Sequence, residues 1–198
     1  MLRRRARDHL DGAAAISAHQ HRCFLGHGVQ ERRWLGGPIA TRVEGLYVHE
    51  FAPGPRSAAW TYATVGVWDA THAESGHGLE FVMSSPRQDD RLVELLTITA
   101  YHHAGPSSQR LDLGHTMPIG EPWLPSSTCD HLLVSVPYPY GPDLEICEWR
   151  FGHARHLWLL PITEPERDFK KLHGLEALEQ AFEDAPMIPT DPQRPSVV

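Results

Sequence analysis

Lysine is almost missing from this chain of 198 residues: Lys170 and Lys171 are the only two, and the rest of the positive charge is arginine. Acidic residues outnumber basic ones, and the formal net charge is -7. That balance excludes general nucleic-acid binding, which depends on Lys and Arg meeting phosphates. Cysteine is scarce too. Cys23, Cys129 and Cys147 are an odd, irregularly spaced set, which is no disulfide framework. No apolar run approaches the roughly 20 residues of a membrane span. Arg3, Arg4, Arg5 and Arg7 look like the basic start of a leader peptide. Asp8, His9 and Asp11 interrupt it, and Ala13-Ala14-Ala15-Ile16 is too short an apolar core. The expectation is a soluble, reduced, cytoplasmic protein that touches neither membrane nor nucleic acid.

Catalytic signatures are missing as well. Gly26-His27-Gly28 lacks the third glycine and the preceding strand of a dinucleotide fingerprint. There is no phosphate-binding loop, no Gly-x-Ser-x-Gly elbow, no Cys-x-x-Cys and no His-Glu-x-x-His. Cys129-Asp130-His131 contains the residue types of a cysteine-hydrolase triad. On a strand, however, neighbours point to opposite faces, so Asp130 is expected to face away from the histidine. Fourteen histidines raise a metal site built from Cys129, His131, His153, His156, His102 or His103. Zinc needs three or four such groups converging at about 2 Å, and no local spacing supplies them. Asp69, Glu74 and Glu80 flank one loop and read as an acidic, partner-facing edge rather than an acid–base pair. No catalytic residue, metal ligand or cofactor is assigned.

What is present is enough apolar material for a core: 41% hydrophobic residues, with six Trp, six Phe and five Tyr. Residues 1–37 read as a short helix, weakened at Asp11-Gly12, and then a loose connector. A strand with a bulge is expected from near Thr41 to Phe51. Trp60–Trp68 and Leu79–Met83 read as a strand pair. Leu92, Leu95, Leu96 and Thr99 share a helical face, capped by Asp89 or Asp90 and ended by Gly105-Pro106. Leu111–Ser127 carries three prolines and two glycines and reads as an ordered, apolar loop. Strands follow at His131–Pro137, Leu144–Phe151 and Arg155–Ile162.

Thr163-Glu164-Pro165-Glu166 is a capping box with a first-turn proline. Gly174 ends that helix in a left-handed position. Leu175, Leu178 and Phe182 form the face of another. Residues 185–198, rich in proline, are expected to be a disordered tail.

Three segments resemble the Suppressor of fused domain family: Trp60-Thr61-Tyr62-Ala63-Thr64-Val65-Gly66-Val67-Trp68-Asp69, Gly76-His77-Gly78-Leu79-Glu80-Phe81, and the run from Leu159 to Phe182. The loop from Asp112-Leu113-Gly114-His115-Thr116 through Trp123 is similar to its bacterial branch. The resemblance covers residues 38–184 and implies a single α+β domain, a mixed, mostly antiparallel sheet flanked by helices. It also implies binding rather than catalysis. Animal members restrain transcription factors by gripping a short peptide; this chain is too short for the second domain that helps clamp it. Bacterial members are viewed as immunity proteins against secreted toxins.

The expectation is therefore a non-enzymatic domain that neutralises a toxin by covering its active site, with the acidic charge pointing to a basic toxin. The expected contact surface is the loop at Asp69–His77 and the loop at Asp112–Trp123, with Asp69, Glu80, His115 and Trp123 as named residues. Trp68, Trp123, Tyr138 and Tyr140 serve either as core caps or as binding anchors. Two other readings stand beside it: a scaffold that binds peptides by β-strand addition, and a metal-dependent enzyme using the histidines.

Overall fold

The computed structural model describes all residues except Met1, Gly36, Gly37, 39–41, 72–77 and Phe151, and the side chains from Arg3 to His9 and that of Leu2 are likewise left aside. Among the described residues the helices are α1 (Leu2–Cys23), α2 (Asp90–His103), α3 (Pro142–Glu145), α4 (Glu164–His173) and α5 (Leu175–Asp184). The strands are β1 (Val29–Arg32), β2 (Tyr47–Phe51), β3 (Trp60–Val65), β4 (Gly78–Ser85), β5 (Thr116–Pro118), β6 (Cys129–Ser135), β7 (Ile146–Trp149) and β8 (Gly152–Thr163). They belong to one mixed sheet, and the fold is α+β as expected. The chain divides into two compact units, Met1–Leu111 with Val136–Trp158, and Asp112–Ser135 with Leu159–Val198. Strand β8 lends its first half to one and its second half to the other.

In the first unit β1, β2, β3 and β4 are successive antiparallel neighbours, β4 pairs β8 in parallel, and β7 pairs β8 antiparallel. Alternation along the strands splits the side chains between two faces. Ala63 and Val82 join Phe24, Phe51, Tyr140 and Leu144 in one cluster, and Val65 joins Ile16, Trp68, Cys147 and Ala154 in another. Those clusters seat α1. Tyr62 and Phe81, the neighbours in sequence, reach α2 instead: Asp89 N donates to the Tyr62 hydroxyl at 2.9 Å, and Phe81 meets His103 edge-on. Helix α2 buries Leu92, Leu95, Leu96 and Ala100. Its two buried threonines return their hydroxyls to Val93 and Leu95 carbonyls, so β-branching costs little there. Asp89 caps it by accepting from Arg91 N at 3.1 Å.

The N-terminal block is longer and more ordered than expected. Helix α1 runs through Asp11-Gly12, and a Cβ at Gly12 would collide with the Trp68 indole; the glycine allows close approach at the cost of helix propensity. The connector contains β1, which has no apolar alternation and is recruited by its neighbours. Arg32 pairs with the buried Glu50 carboxylate at 2.7 Å and also reaches Asp90, and Gln88 donates to the other Glu50 oxygen at 2.6 Å. The strand expected from Thr41 begins only at Tyr47, and Thr41 itself lies outside the described residues. The strand expected at Leu144–Phe151 is the short helix α3 followed by β7.

In the second unit β5 pairs β6 antiparallel, and β8 runs into α4. The capping box is present: the Thr163 hydroxyl accepts from Glu166 N, and Glu166 Oε2 accepts from Thr163 N at 2.8 Å. Gly174 has φ 92°, a positive value as expected, but with ψ 170° rather than a helical one. The expected disordered tail is instead folded back. Arg194 is 3% exposed and forks onto Glu166. Proline richness removes helix and strand here, but a buried ion pair and the bonds around it hold the segment.

Candidate functional site

The loop after Leu111 is built from short-range bonds. Asp112 Oδ1 accepts from Leu113 N at 2.7 Å, Asp112 O accepts from His115 N at 3.0 Å, and Asp112 N donates to His115 Nδ1 at 3.2 Å. This tight turn puts Gly114 at φ 80°, where a side chain is strained. The turn is then fixed to β6: Gly114 N donates to Val134 O at 2.7 Å and Val134 N to His115 O at 2.9 Å. The Lys170 ammonium donates to the Gly114 carbonyl from α4. Farther on, β5 pairs β6, Ile119 N donates to Asp130 O at 3.0 Å, and Trp123 N to Cys129 O at 3.0 Å. The loop is therefore laid along a strand. It presents Leu113, His115, Pro118, Glu121 and Pro122, all exposed, on a backbone with little freedom left to lose on binding.

The four residues expected to meet a partner separate into two kinds. His115 is exposed on this loop, and Asp69 is half-buried where the chain leaves β3. Glu80 and Trp123 are corrected: both are fully buried and cannot present a side chain to a partner. Glu80 is a structural acceptor. It takes the Thr64 hydroxyl at 2.5 Å, Gly66 N at 2.9 Å and Trp68 N at 3.2 Å. Burial pushes its carboxyl up to about 8, against the pull of those bonds. The Trp123 indole is a core anchor for the loop rather than its binding tip. Asp69 and Glu80 lie in the first unit, His115 and Trp123 in the second. Most of the Asp69–His77 loop, with Glu74 and the Gly76-His77 part of the motif, lies outside the described residues. Among the other aromatics, Trp68 and Tyr140 are core while Tyr138 is exposed; the Tyr140 hydroxyl bonds Thr61 and Ser84 at 2.7 and 2.6 Å.

Catalytic arrangements find little support in the geometry. Asp130 does bond His131 Nδ1, at 2.8 Å, contrary to the expectation that it faces away. Burial, however, raises the Cys129 thiol above its usual range, the reverse of nucleophile activation. Among the described residues no group of three or more His, Cys, Asp or Glu side chains is placed to hold a metal ion. The inward histidines are used internally instead. His49 Nδ1 meets Gln20 Oε1 at 2.8 Å, and Gln20 Nε2 reaches His156 Nε2 at 3.1 Å and Thr64 O at 2.8 Å. No helix among the described residues is long and apolar enough to cross a membrane.

Residues 42–195 match the family model described as Suppressor of fused protein (SUFU). The chain belongs to the Suppressor of fused family. The structure of a SUFU homolog from Neisseria gonorrhoeae is 30% identical, covers 96% of this chain and 98% of that one, and superposes with a TM-score of 0.81. The Sufu–Fu complex structure is 14% identical over 88% of this chain and 85% of that chain, with a TM-score of 0.67. Drosophila Suppressor of Fused is 15% identical over 88% of this chain but 47% of its own, with a TM-score of 0.68. At such identity the last two share the SUFU fold and no more is carried over. No match is found among curated proteins. The SUFU match extends through the Arg194 segment that the sequence suggested was a disordered tail. Residues that local sequence reading missed are Leu113, Lys170 and Arg194. Leu113 follows Asp112 in a turn that was legible. Lys170 and Arg194 act on groups 56 and 28 residues away and leave no local signal.

Proposed function

We propose that this SUFU-family chain is a non-enzymatic, cytoplasmic binding protein that neutralises a bacterial toxin by covering its active site. The observation that carries the reading is the loop at 112–127. Its backbone is bonded along β6 and pinned from α4, while Leu113, His115 and Glu121 stand outward. A rigid, preorganised rim suits occlusion, because little entropy is lost when it docks. Asp69 is proposed as a second contact. A relative of the same fold has been crystallised as a Sufu–Fu complex, in keeping with a protein partner. The net charge of -7 favours a basic partner and fast encounter. The test is co-expression with a toxin encoded beside this gene. Growth rescue and co-purification are expected; their joint absence counts against the role.

A second reading is favoured by β5. It pairs only with β6 among the described residues, which leaves an edge to which an extended peptide can add. Pro118 shortens the run of available donors, so this mode suits a short segment.

A further inference from the structure

We propose that residues 185–198 are a displaceable strap, and that the place the strap fills on the second unit is a docking site for an arginine-bearing, extended segment of a partner protein. The inference does not depend on the toxin reading. Its centre is Glu166, whose side chain is 0% exposed. A carboxylate so deeply placed needs a cation and further donors. It receives both from the tail: Arg194 Nη1 and Nη2 fork onto its two oxygens at 2.6 and 2.7 Å, and Val197 N donates at 3.1 Å. Arg194 Nη2 also reaches Pro161 O at 2.9 Å, the Ser196 hydroxyl lies 3.1 Å from that of Thr163, and the guanidinium sits 5.6 Å from the Phe182 ring centre. A planar fork fits this site as an ammonium does not.

The occupant is held through few residues. Its bonds to Glu166, Pro161 and Thr163 come from Arg194, Ser196 and Val197, while Pro186, Ile188, Gln193 and Pro195 are exposed. The segment has neither helix nor strand after Asp184, so no cooperative element must unfold for it to leave. What the site reads is therefore a short pattern: arginine, a hydroxyl two residues on, and a backbone N–H three residues on. Any extended segment with that pattern can repeat the bonds in trans. The strap competes at an effective concentration on the order of millimolar. It thus excludes weak arginine-containing segments and admits a partner that adds contacts of its own.

The test uses the full chain and a synthetic peptide with the sequence of residues 188–198. Titration into Arg194→Ala protein should give saturable binding at sub-millimolar peptide, at least ten times tighter than to the wild type. The same peptide with glutamine for its arginine should bind neither. Equal affinity for both proteins, equal affinity of both peptides, or no binding to a variant with a native circular dichroism spectrum overturns the proposal. Should Arg194→Ala not fold, hydrogen exchange on the wild type decides. The Val197 amide is expected to exchange at least ten times faster than the amides of α4; exchange only with global unfolding overturns the strap.

Discussion

Glu80 sits in a strand flanked by Leu79 and Phe81, and its neighbours explain what it does. Pairing between β3 and β4 stops at Ala63 and Val82. Beyond that point the Thr64 hydroxyl accepts from Phe81 N at 2.8 Å, and the Glu80 carboxyl collects the Gly66 and Trp68 amides. Side chains thus replace ladder bonds where Gly66 turns at φ 114°. The folded-state pKa of Glu80, about 8 against an ordinary 4.5, has a fixed sign in linkage. Its contribution is complete below about 4.5 and is lost as pH rises through 8. Glu80→Gln keeps an oxygen for both amides. The melting temperature of this variant relative to wild type should therefore climb between pH 5 and 9; a flat difference would contradict the burial argument. Gly12 permits a sharper forecast. Alanine is about 1 kcal/mol better in a helix, yet its Cβ would enter the Trp68 ring, and overpacking costs about 1–3 kcal/mol. Chemical denaturation of Gly12→Ala should show net destabilisation.

At the scale of elements, α1 takes part in a pH-dependent hub. It carries His19 and Gln20 against β2, β3 and β8. Gln20 must donate to Thr64 O, so its amide also faces His156 Nε2, and its oxygen is left for His49. This bonding requires His156 Nε2 to be unprotonated. Burial lowers His49 to about 4 and His156 to about 3, with His21 and His19 respectively adding repulsion. Groups depressed from 6.5 contribute stability that is complete above about 6.5 and is lost as pH falls towards 4 and 3. The protection of α1 amides against hydrogen exchange, after correction for the intrinsic pH dependence of exchange, should fall between pH 6.5 and 4 before that of α2 does; simultaneous loss would contradict a local hub. Elements set by near neighbours were legible in the sequence: the Asp89 cap of α2, the capping box at Thr163, and the break at Gly174. Those set by distant partners were not. Val29–Arg32 has no strand pattern and depends on Glu50 and Gln88. The tail depends on Glu166. In the candidate site the loop could be recognised from its prolines and glycines, whereas Glu80 and Trp123 could not be told from surface residues without knowing what covers them.

For the molecule as a whole, the proposed reading rests on SUFU family membership, an acidic charge and a rim fixed to its own sheet; its central claim is that the chain works through a surface that docks a protein partner. On the toxin-neutralising reading, the direct measurement is growth rescue from a toxin encoded beside this gene by the chain carrying Leu113→Glu together with Glu121→Arg. Both side chains are exposed, and exposed substitutions usually change stability by no more than about 0.5 kcal/mol, so the fold and melting temperature should be retained. The account predicts that affinity for the toxin falls at least tenfold and rescue is lost while melting is unchanged. Wild-type affinity and rescue by this double variant would contradict it.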